Sequence, residues 1–255
     1  SIQKTNFYHK VFFTLIIIFT IIFWPYLWNN PFTNFLHALK TFSSHPWTGA
    51  IFYFGDYVSA LNLPWHYPIV WILISIPIIY LLLFILGSTL ILTRLSLRFI
   101  NLSPKKQFND LWRGNKERMD IIFFSIFYFT LFLVIELNAT LYNGWRHLYF
   151  IYPSLIFISI RGLEYLSKTF FSKYLLIIIF LFLLNTSFWM VKNHPYQFIY
   201  FNKFAGKNVG NYFELDYWGT SNISALSFIA KRDKRNDIKI YVFSDSPYHF
   251  SLLLA

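Results

Sequence analysis

Five apolar runs, each near the length that crosses a lipid bilayer, constrain the fold of this chain more than any other feature. A transmembrane helix needs roughly 20 consecutive, mostly apolar residues. The side chains are 56% hydrophobic and only 13% charged, a balance that one soluble core does not accommodate. We therefore predict an α-helical polytopic membrane protein with about five transmembrane helices. The runs cover residues 11–28, 69–92, 121–137, 148–166 and 174–191.

Basic residues are distributed unevenly among the segments that separate these runs. Twelve lie in 4–10, 93–120 and 161–173, whereas two, Lys40 and Arg146, lie in the alternate loops. Because cytoplasmic loops carry an excess of Lys and Arg, this asymmetry predicts a cytoplasmic N-terminus and an extracytoplasmic tail after the last run. The same asymmetry explains the net charge of +11, so nucleic acid is not predicted as a partner.

The pattern divides the chain into a transmembrane region, 1–191, and an outer domain, 192–255. Outer loop 29–67 is expected to carry an interfacial helix, because apolar side chains there fall on one helical face. These side chains belong to Phe35, Leu36, Leu39 and Phe42. Since the chain opens at Ser1 and stops within an apolar run, we expect it to be an internal piece of a longer protein.

The outer domain has the pattern of the start of a small α/β domain that is truncated at its C-terminus. Residues 197–201 and 239–243 read as strands. Between them, helix 221–231 follows a capping residue, either Thr220 or Ser221.

The first candidate site is the motif Tyr-Asn-Gly-Trp-Arg-His at residues 142–147, near the outer edge of the fourth run. Arg146 beside His147 suits the recognition of a phosphate, because a guanidinium offers a planar fork of donors. Glu136, a short loop away, is either the ion-pair partner of Arg146 or part of a ligand site. His66 is a further outer-side candidate.

The second candidate site is the block Glu214, Asp216, Tyr217 and Trp218. Two carboxylates beside two aromatic rings could bind a sugar; alternatively, the acids cap helix 221–231 or pair with nearby lysines. Asp56 is a third, equally ambiguous outer acid. None of the seven histidines has metal-ligand spacing and the chain has no cysteine, so we predict neither a cofactor nor a metal site and leave a divalent metal open.

Several short blocks together resemble bacterial protein O-mannosyltransferases, glycosyltransferase family 39, which have the C-type membrane fold. The blocks are Trp24-Pro25-Tyr26-Leu27-Trp28, Leu63-Pro64-Trp65-His66-Tyr67, Tyr142-Asn143-Gly144-Trp145-Arg146-His147, the His-Pro-Tyr-Gln segment from 194, and Glu214-Leu215-Asp216-Tyr217-Trp218-Gly219.

This resemblance implies a multi-pass enzyme of the bacterial inner membrane. Such an enzyme transfers a sugar from a polyprenyl-phosphate donor to a glycan, lipid or protein acceptor on the outer face. The family's acidic catalytic motif is expected upstream of residue 1, so the chain alone is expected to be inactive. Arg146, with His147 or His66, is then expected to hold the lipid phosphate. The substrate-positioning candidates are Asp56, Glu136, Glu214, Asp216, Tyr217 and Trp218.

Two other classes stay open from the sequence. A secondary transporter would explain the membrane crossings, although such proteins usually carry charges inside the membrane and interrupted helices. A noncatalytic membrane scaffold that displays an outer α/β domain would explain the same features, except for the clustering of polar residues on one face.

Overall fold

A computed structural model describes residues 2–43, 47–100, 111–168, 172–233, 235 and 239. It is mostly helical and divides into two compact units, 1–47 and 48–255. The helices are α1 Ile2–Phe23, α2 Pro31–Ser43, α3 Tyr67–Ser75, α4 Ile78–Ile100, α5 Gly114–Glu136, α6 Tyr152–Leu166, α7 Ser172–Lys192 and α8 Ser221–Arg232. Short 3₁₀ helices cover Pro25–Leu27, Arg146–Ile151, Gln197–Ile199, Lys203–Ala205 and Val209–Asn211.

Three helices are long and apolar enough to cross a membrane: Ile78–Ile100, Gly114–Glu136 and Lys173–Lys192. Many of their large apolar side chains are exposed, as in Leu82 and Phe180, which suits contact with lipid tails. Helix α1 contains a shorter apolar stretch. These helices indicate a membrane protein, as the composition predicts.

The first unit contains helix α1, a 3₁₀ helix and helix α2. Helix α2 lies in the loop 29–67, so the helix predicted there is present. The Tyr26 hydroxyl lies 2.9 Å from His37 Nδ1, and Asn34 Nδ2 donates to the Tyr26 carbonyl at 2.7 Å. These bonds fasten the start of α2 to the 3₁₀ helix before it.

The second apolar run, predicted as one helix, is interrupted at Ile76–Pro77. Helix α3 ends at Ser75, Ile76 is extended, and α4 begins at Ile78. Proline lacks a backbone donor and disfavours helical geometry in the residue before it, so a break here follows from the sequence. The break frees carbonyl groups at the end of α3.

Asn202, a buried residue from the tail, satisfies the freed carbonyl groups. Its side-chain Nδ2 donates to the carbonyls of Leu73 at 2.6 Å and Ile76 at 2.7 Å. Its backbone N donates to the Ile74 carbonyl at 2.8 Å. The tail is therefore fastened to the helix break through one asparagine.

Helices α4 and α6 pack against each other with their backbones in contact at Gly87 and Gly162. A Cβ at Gly87 would lie 2.0 Å from the Ile158 carbonyl oxygen, and one at Gly162 would lie 2.3 Å from the Leu83 oxygen. Small residues allow such close approach in membrane helices. Ser159 Oγ also donates to the Tyr80 carbonyl across this contact, at 3.1 Å.

Helix α6 begins later than the fourth apolar run. Residues Arg146–Ile151 form a 3₁₀ helix, and the 15 residues of α6 follow. Fifteen helical residues span about 22 Å, less than the roughly 30 Å of a bilayer core. Pro153 in the first turn agrees with this start, because proline is tolerated only there.

The only sheet in the described part of the chain is a hairpin that was not predicted, β1 Ala50–Tyr53 paired antiparallel with β2 Asp56–Ser59. Its two-residue turn has positive φ at Phe54 and Gly55, as in a type I′ turn. The prediction of a strand at 197–201 is wrong, because Gln197–Ile199 is a 3₁₀ helix. Helix 221–231 is confirmed by α8, and the strand 239–243 lies outside the described residues apart from Lys239.

Candidate anion site

The candidate site forms where a left-handed turn places Arg146 at the start of a 3₁₀ helix. Asn143 and Gly144 both have positive φ, at 56° and 72°. A Cβ at Gly144 would lie 3.4 Å from the ring of Trp71, and the Tyr67 hydroxyl donates to the Gly144 carbonyl at 3.4 Å. The Asn-Gly pair in the motif therefore serves a turn that packs closely on helix α3.

Arg146 lies between two aromatic rings that come from distant parts of the sequence. Its Cζ is 4.6 Å from the centroid of Tyr142 and 4.7 Å from that of Trp218. A guanidinium over such rings is held by cation–π attraction. The two candidate blocks predicted separately, around 142–147 and 214–219, thus meet at this side chain.

Within the described ranges, Arg146 forms no ion pair with a carboxylate. Glu136, suggested as its partner, is exposed at the end of α5. The Arg146 Nε donates to His147 Nε2 at 3.2 Å. The terminal amino groups of the guanidinium are therefore available to an anion.

His147 accepts from Arg146 and contacts the Tyr142 ring at 4.5 Å between centroids. Partial burial, aided by the neighbouring Arg146 charge, lowers the pKa of His147 from its ordinary value of 6.5. The neutral form of His147 is therefore favoured at pH 7. It orients the guanidinium and adds no second positive charge.

His66 belongs to a different cluster. Its Nδ1 lies 2.7 Å from the Tyr53 hydroxyl, and its ring stacks on Tyr53 at 5.7 Å. The Tyr53 ring packs against Phe213, which precedes Glu214. Asp56, at the tip of the hairpin that contains Tyr53, is exposed. Among the described residues, neither His66 nor Asp56 forms a hydrogen bond, ion pair or ring contact with Arg146.

Glu214 faces inward toward the hairpin. Its Oε1 accepts weakly from the Phe52 backbone N at 3.4 Å, and its Oε2 is buried without a hydrogen-bond partner among the described residues. Burial raises the pKa of the Glu214 carboxyl above its ordinary value of 4.5. Its position suits an internal carboxyl more than a group that meets substrate.

Asp216 caps helix α8. Its two carboxylate oxygens accept from the backbone N of Thr220 at 2.9 Å and of Ser221 at 2.6 Å. Neither Thr220 nor Ser221 provides the side-chain cap that the sequence suggested. Of the alternatives considered for this acid, the helix cap is the one that the structure contains; contact with a substrate stays a prediction.

Neutralising these two acids should have opposite effects. Asp216→Asn is expected to cost up to about 1 kcal/mol of folding free energy, because the amide lacks the charge that suits a helix N-terminus and offers one acceptor oxygen where the carboxylate uses two. Folded Glu214 has a raised pKa, so its contribution to stability is full below pH 4.5 and is lost as pH rises through the folded pKa. Glu214→Gln should remove that loss and leave stability at pH 8 equal to wild type or higher. Thermal unfolding of both variants at pH 5 and pH 8 measures the difference; a less stable Glu214→Gln at pH 8 would contradict the assignment.

A cavity of about 720 Å³ lies beside the Arg146 turn. Its wall contains Trp145, Tyr149 and Tyr152, the helix break at Ser75–Pro77, and residues of α7 and the tail. Trp145 Nε1 donates to Ser75 Oγ at 2.8 Å, which fixes one side of the wall. The Tyr149 and Tyr217 side chains lie near each other, so the cavity adjoins the block that supplies Trp218.

Similarity to known proteins does not assign this site to a family. No family model, no curated protein and no solved structure matches the chain. The described residues also contain no group of three or more His, Asp or Glu that could hold a metal ion. What the site binds must therefore be argued from its own side chains.

Sequence reasoning selected Arg146, His147, Tyr217 and Trp218, which the structure brings into one region. It did not select Tyr149 or Asn202. Tyr149 lies three residues after Arg146, so its place on the same 3₁₀ helix was a signal in the sequence. Asn202 gave no comparable signal, because its partners are carbonyl groups of a helix about 130 residues earlier, at separations of 126 and 129.

Proposed function

We propose that this protein is an integral membrane glycosyltransferase that uses a polyprenyl-phosphate-linked sugar donor on the outer face of a bacterial inner membrane. The observation that carries the proposal is the guanidinium of Arg146. It is held between Tyr142 and Trp218 with its terminal donors available, beside an aromatic cavity. This arrangement offers one fixed charge for a phosphate and an apolar space for what the phosphate is attached to.

The chemistry of sugar transfer needs such a charge. When the bond between sugar and phosphate breaks, negative charge develops on the oxygens of the departing lipid phosphate. A preorganised cation there stabilises the transition state without a reorganisation cost. Arg146 is the residue in this role, and neutral His147 orients it. The catalytic carboxylate implied by the family resemblance is not assigned to any residue of this chain.

The cavity suits the lipid part of the donor. Aromatic and aliphatic side chains dominate its wall, and the few polar groups, including Ser75, Thr186 and Gln197, are scattered along it. Pockets of 300–1,000 Å³ with this composition are typical of small-molecule sites. The first isoprene units next to the phosphate would occupy it, and the rest of the chain would remain in the bilayer.

Binding of undecaprenyl phosphate tests this proposal without knowledge of the sugar. We expect saturable binding to the purified chain in detergent, with undecaprenol at least about tenfold weaker because it lacks the charged acceptor. Farnesyl phosphate keeps the phosphate and the first isoprene units, so it should compete with undecaprenyl phosphate for the site. Radioligand displacement measures all three. Equal affinity for undecaprenol and undecaprenyl phosphate would contradict a phosphate site.

The proposal includes five membrane crossings with the Arg146 side and the tail outside. Because the chain contains no cysteine, single cysteines report topology cleanly. Asn115→Cys and Lys231→Cys are both at exposed positions. On intact cells, an impermeant maleimide should label the second and should reach the first only after permeabilisation. Labelling of both from outside would overturn the five-crossing arrangement.

A secondary transporter is the second candidate, favoured by the interruption at Ile76–Pro77. Transporters use carbonyl groups at such breaks to bind ions. Here Asn202 occupies the carbonyls of Leu73, Ile74 and Ile76, which leaves fewer acceptors for a cation. We therefore rank the transferase first.

A further inference from the structure

A second cavity, which is lined by charged side chains, lies at the opposite end of helix α6 from Arg146. It has a volume of about 350 Å³ and is bordered by the ends of α4 and α6 and the start of α5. Helix α6 has 15 residues, so about 22 Å separates its two ends. We name this cavity the basic cleft. Its charged wall consists of Arg94, Lys116, Asp120, Arg161, Glu164 and Lys168, together with Glu117 at its edge.

At the bottom of the basic cleft, Asp120 joins two arginines from different helices. Asp120 is only 4% exposed; Arg94 Nη1 donates to it at 2.6 Å, and Arg161 Nε donates to its other oxygen. The Nε and Nη2 of Arg94 are buried without a hydrogen-bond partner in the described part of the chain. Buried donors without partners are costly, so a side-chain movement that turns Arg94 toward an acceptor in the cleft would be favourable.

At the rim of the basic cleft, three cationic side chains share the single carboxylate of Glu164. Lys116 Nζ and Lys168 Nζ lie 3.3 Å and 3.5 Å from Glu164 Oε1, while Arg161 donates to Glu164 Oε2 at 2.7 Å. The two lysine side chains are 79% and 72% exposed. The carboxylate of Glu117 is already engaged by Arg98. An excess of positive charge therefore faces the opening.

The remaining wall of the basic cleft is apolar. Leu90, Ile91 and Tyr165 line it, and the Tyr165 side chain is largely exposed. Leu90 and Ile91 belong to α4, one of the three helices long enough to cross a membrane. A free phosphate ion has no apolar part that could pack against such a wall, whereas the acyl chains of a phospholipid would contact it.

We propose that the basic cleft binds the phosphate-bearing headgroup of an anionic membrane phospholipid. Arg94 donates to the phosphate from below, Lys116 and Lys168 attract it from the rim, and the acyl chains run along α4. Basic pockets between helices on the cytoplasmic side commonly recognise anionic lipid headgroups. The site is separate from the outer-side site at Arg146 and does not depend on the function proposed for it.

Lipid binding to the purified, delipidated chain tests the proposal by native mass spectrometry. Phosphatidylglycerol should bind at least about tenfold more tightly than phosphatidylcholine. The double variant Lys116→Gln and Lys168→Gln should lose about tenfold in affinity for phosphatidylglycerol and keep its weak affinity for phosphatidylcholine. A matched control, Lys203→Gln with Lys207→Gln, removes two exposed lysines from the tail and should bind both lipids like wild type.

A third variant tests the bottom of the cleft. Arg94→Lys retains a cation for Asp120 but removes the guanidinium donors that have no partner, so phosphatidylglycerol affinity should fall while thermal stability without lipid is maintained. Equal affinity for the two lipids, or wild-type phosphatidylglycerol binding by the Lys116 and Lys168 double variant, would overturn the proposal. Stabilisation by millimolar inorganic phosphate equal to that by phosphatidylglycerol would overturn the assignment to a lipid.

Discussion

Alanine at Gly87 is expected to force helices α4 and α6 apart and to lower the free energy of unfolding by about 3 kcal/mol. The added Cβ would lie 2.0 Å from the Ile158 carbonyl oxygen and 3.1 Å from the Gly162 backbone N. Both neighbours are backbone atoms of α6, so no side-chain rotation relieves the overlap. Gly162→Ala should behave in the same way, because its Cβ would meet the Leu83 oxygen at 2.3 Å.

The measurement is reversible unfolding of the purified protein in mixed detergent micelles, followed by circular dichroism. Gly210→Ala is a matched control, since its Cβ would meet the side chain of Leu215, at 3.0 Å from Cδ1, rather than backbone. That contact can relax by a small side-chain movement. If Gly87→Ala and Gly210→Ala unfold alike, the two helices do not pack as closely as described.

The α4–α6 contact matters for both sites. Helix α6 follows directly from the 3₁₀ helix that begins with Arg146. Its other end supplies Arg161 and Glu164 of the basic cleft, and Lys168 follows that end. A change that separates α6 from α4 should therefore weaken phosphate binding at both ends. Variants of single charged residues should weaken only one.

The helical character of the chain could be predicted because it depends on local composition. Apolar runs near 20 residues leave few alternatives in a bilayer, since every backbone group must find its partner within the helix. The interruption of the second run was equally local, and Pro77 was its signal. The break was missed because the residues on both sides of Pro77 are apolar, so the run looks continuous in the sequence.

The hairpin at residues 50–59 could not be read from the same rules. Its turn uses Phe54 and Gly55 with positive φ, rather than the Asn-Gly pair that marks such turns. Its stability comes from the tail: Tyr53 pairs with Phe213, and Gly55 N donates to the Tyr212 carbonyl at 3.1 Å. Contacts between residues about 160 positions apart carry no local pattern.

The same reasoning explains which part of the site around Arg146 was predictable. Arg146 and His147 were selected because a guanidinium fork beside a histidine at the edge of an apolar run suits the recognition of a phosphate. That Trp218 covers Arg146 depends on the docking of the tail, which Asn202 and Phe213 control through contacts with α3. Sequence spacing alone does not indicate that these residues lie close together in the folded protein.

Arg146 should dominate the affinity for undecaprenyl phosphate. Arg146→Ala removes the charge and is expected to weaken binding by about 30-fold to 100-fold, the loss of a charge-assisted pair of hydrogen bonds. Arg146→Lys retains the charge but loses the planar fork and its contact with the rings of Tyr142 and Trp218. It should therefore bind about tenfold more weakly than wild type.

The lysine variant separates geometry from charge, and a second arginine provides the control. Arg232 also lies over an aromatic ring, with its Cζ 5.5 Å from the Phe228 centroid, on the exposed C-terminal end of α8. Arg232→Ala removes the same charge and the same kind of ring contact, so it should bind undecaprenyl phosphate like wild type. Undecaprenol, which has no phosphate, should bind Arg146→Ala and wild type alike, because only the contact with the phosphate is lost. A uniform loss for both lipids would indicate that Arg146 supports the shape of the cavity, whereas a loss confined to the phosphate would place the anion on its guanidinium.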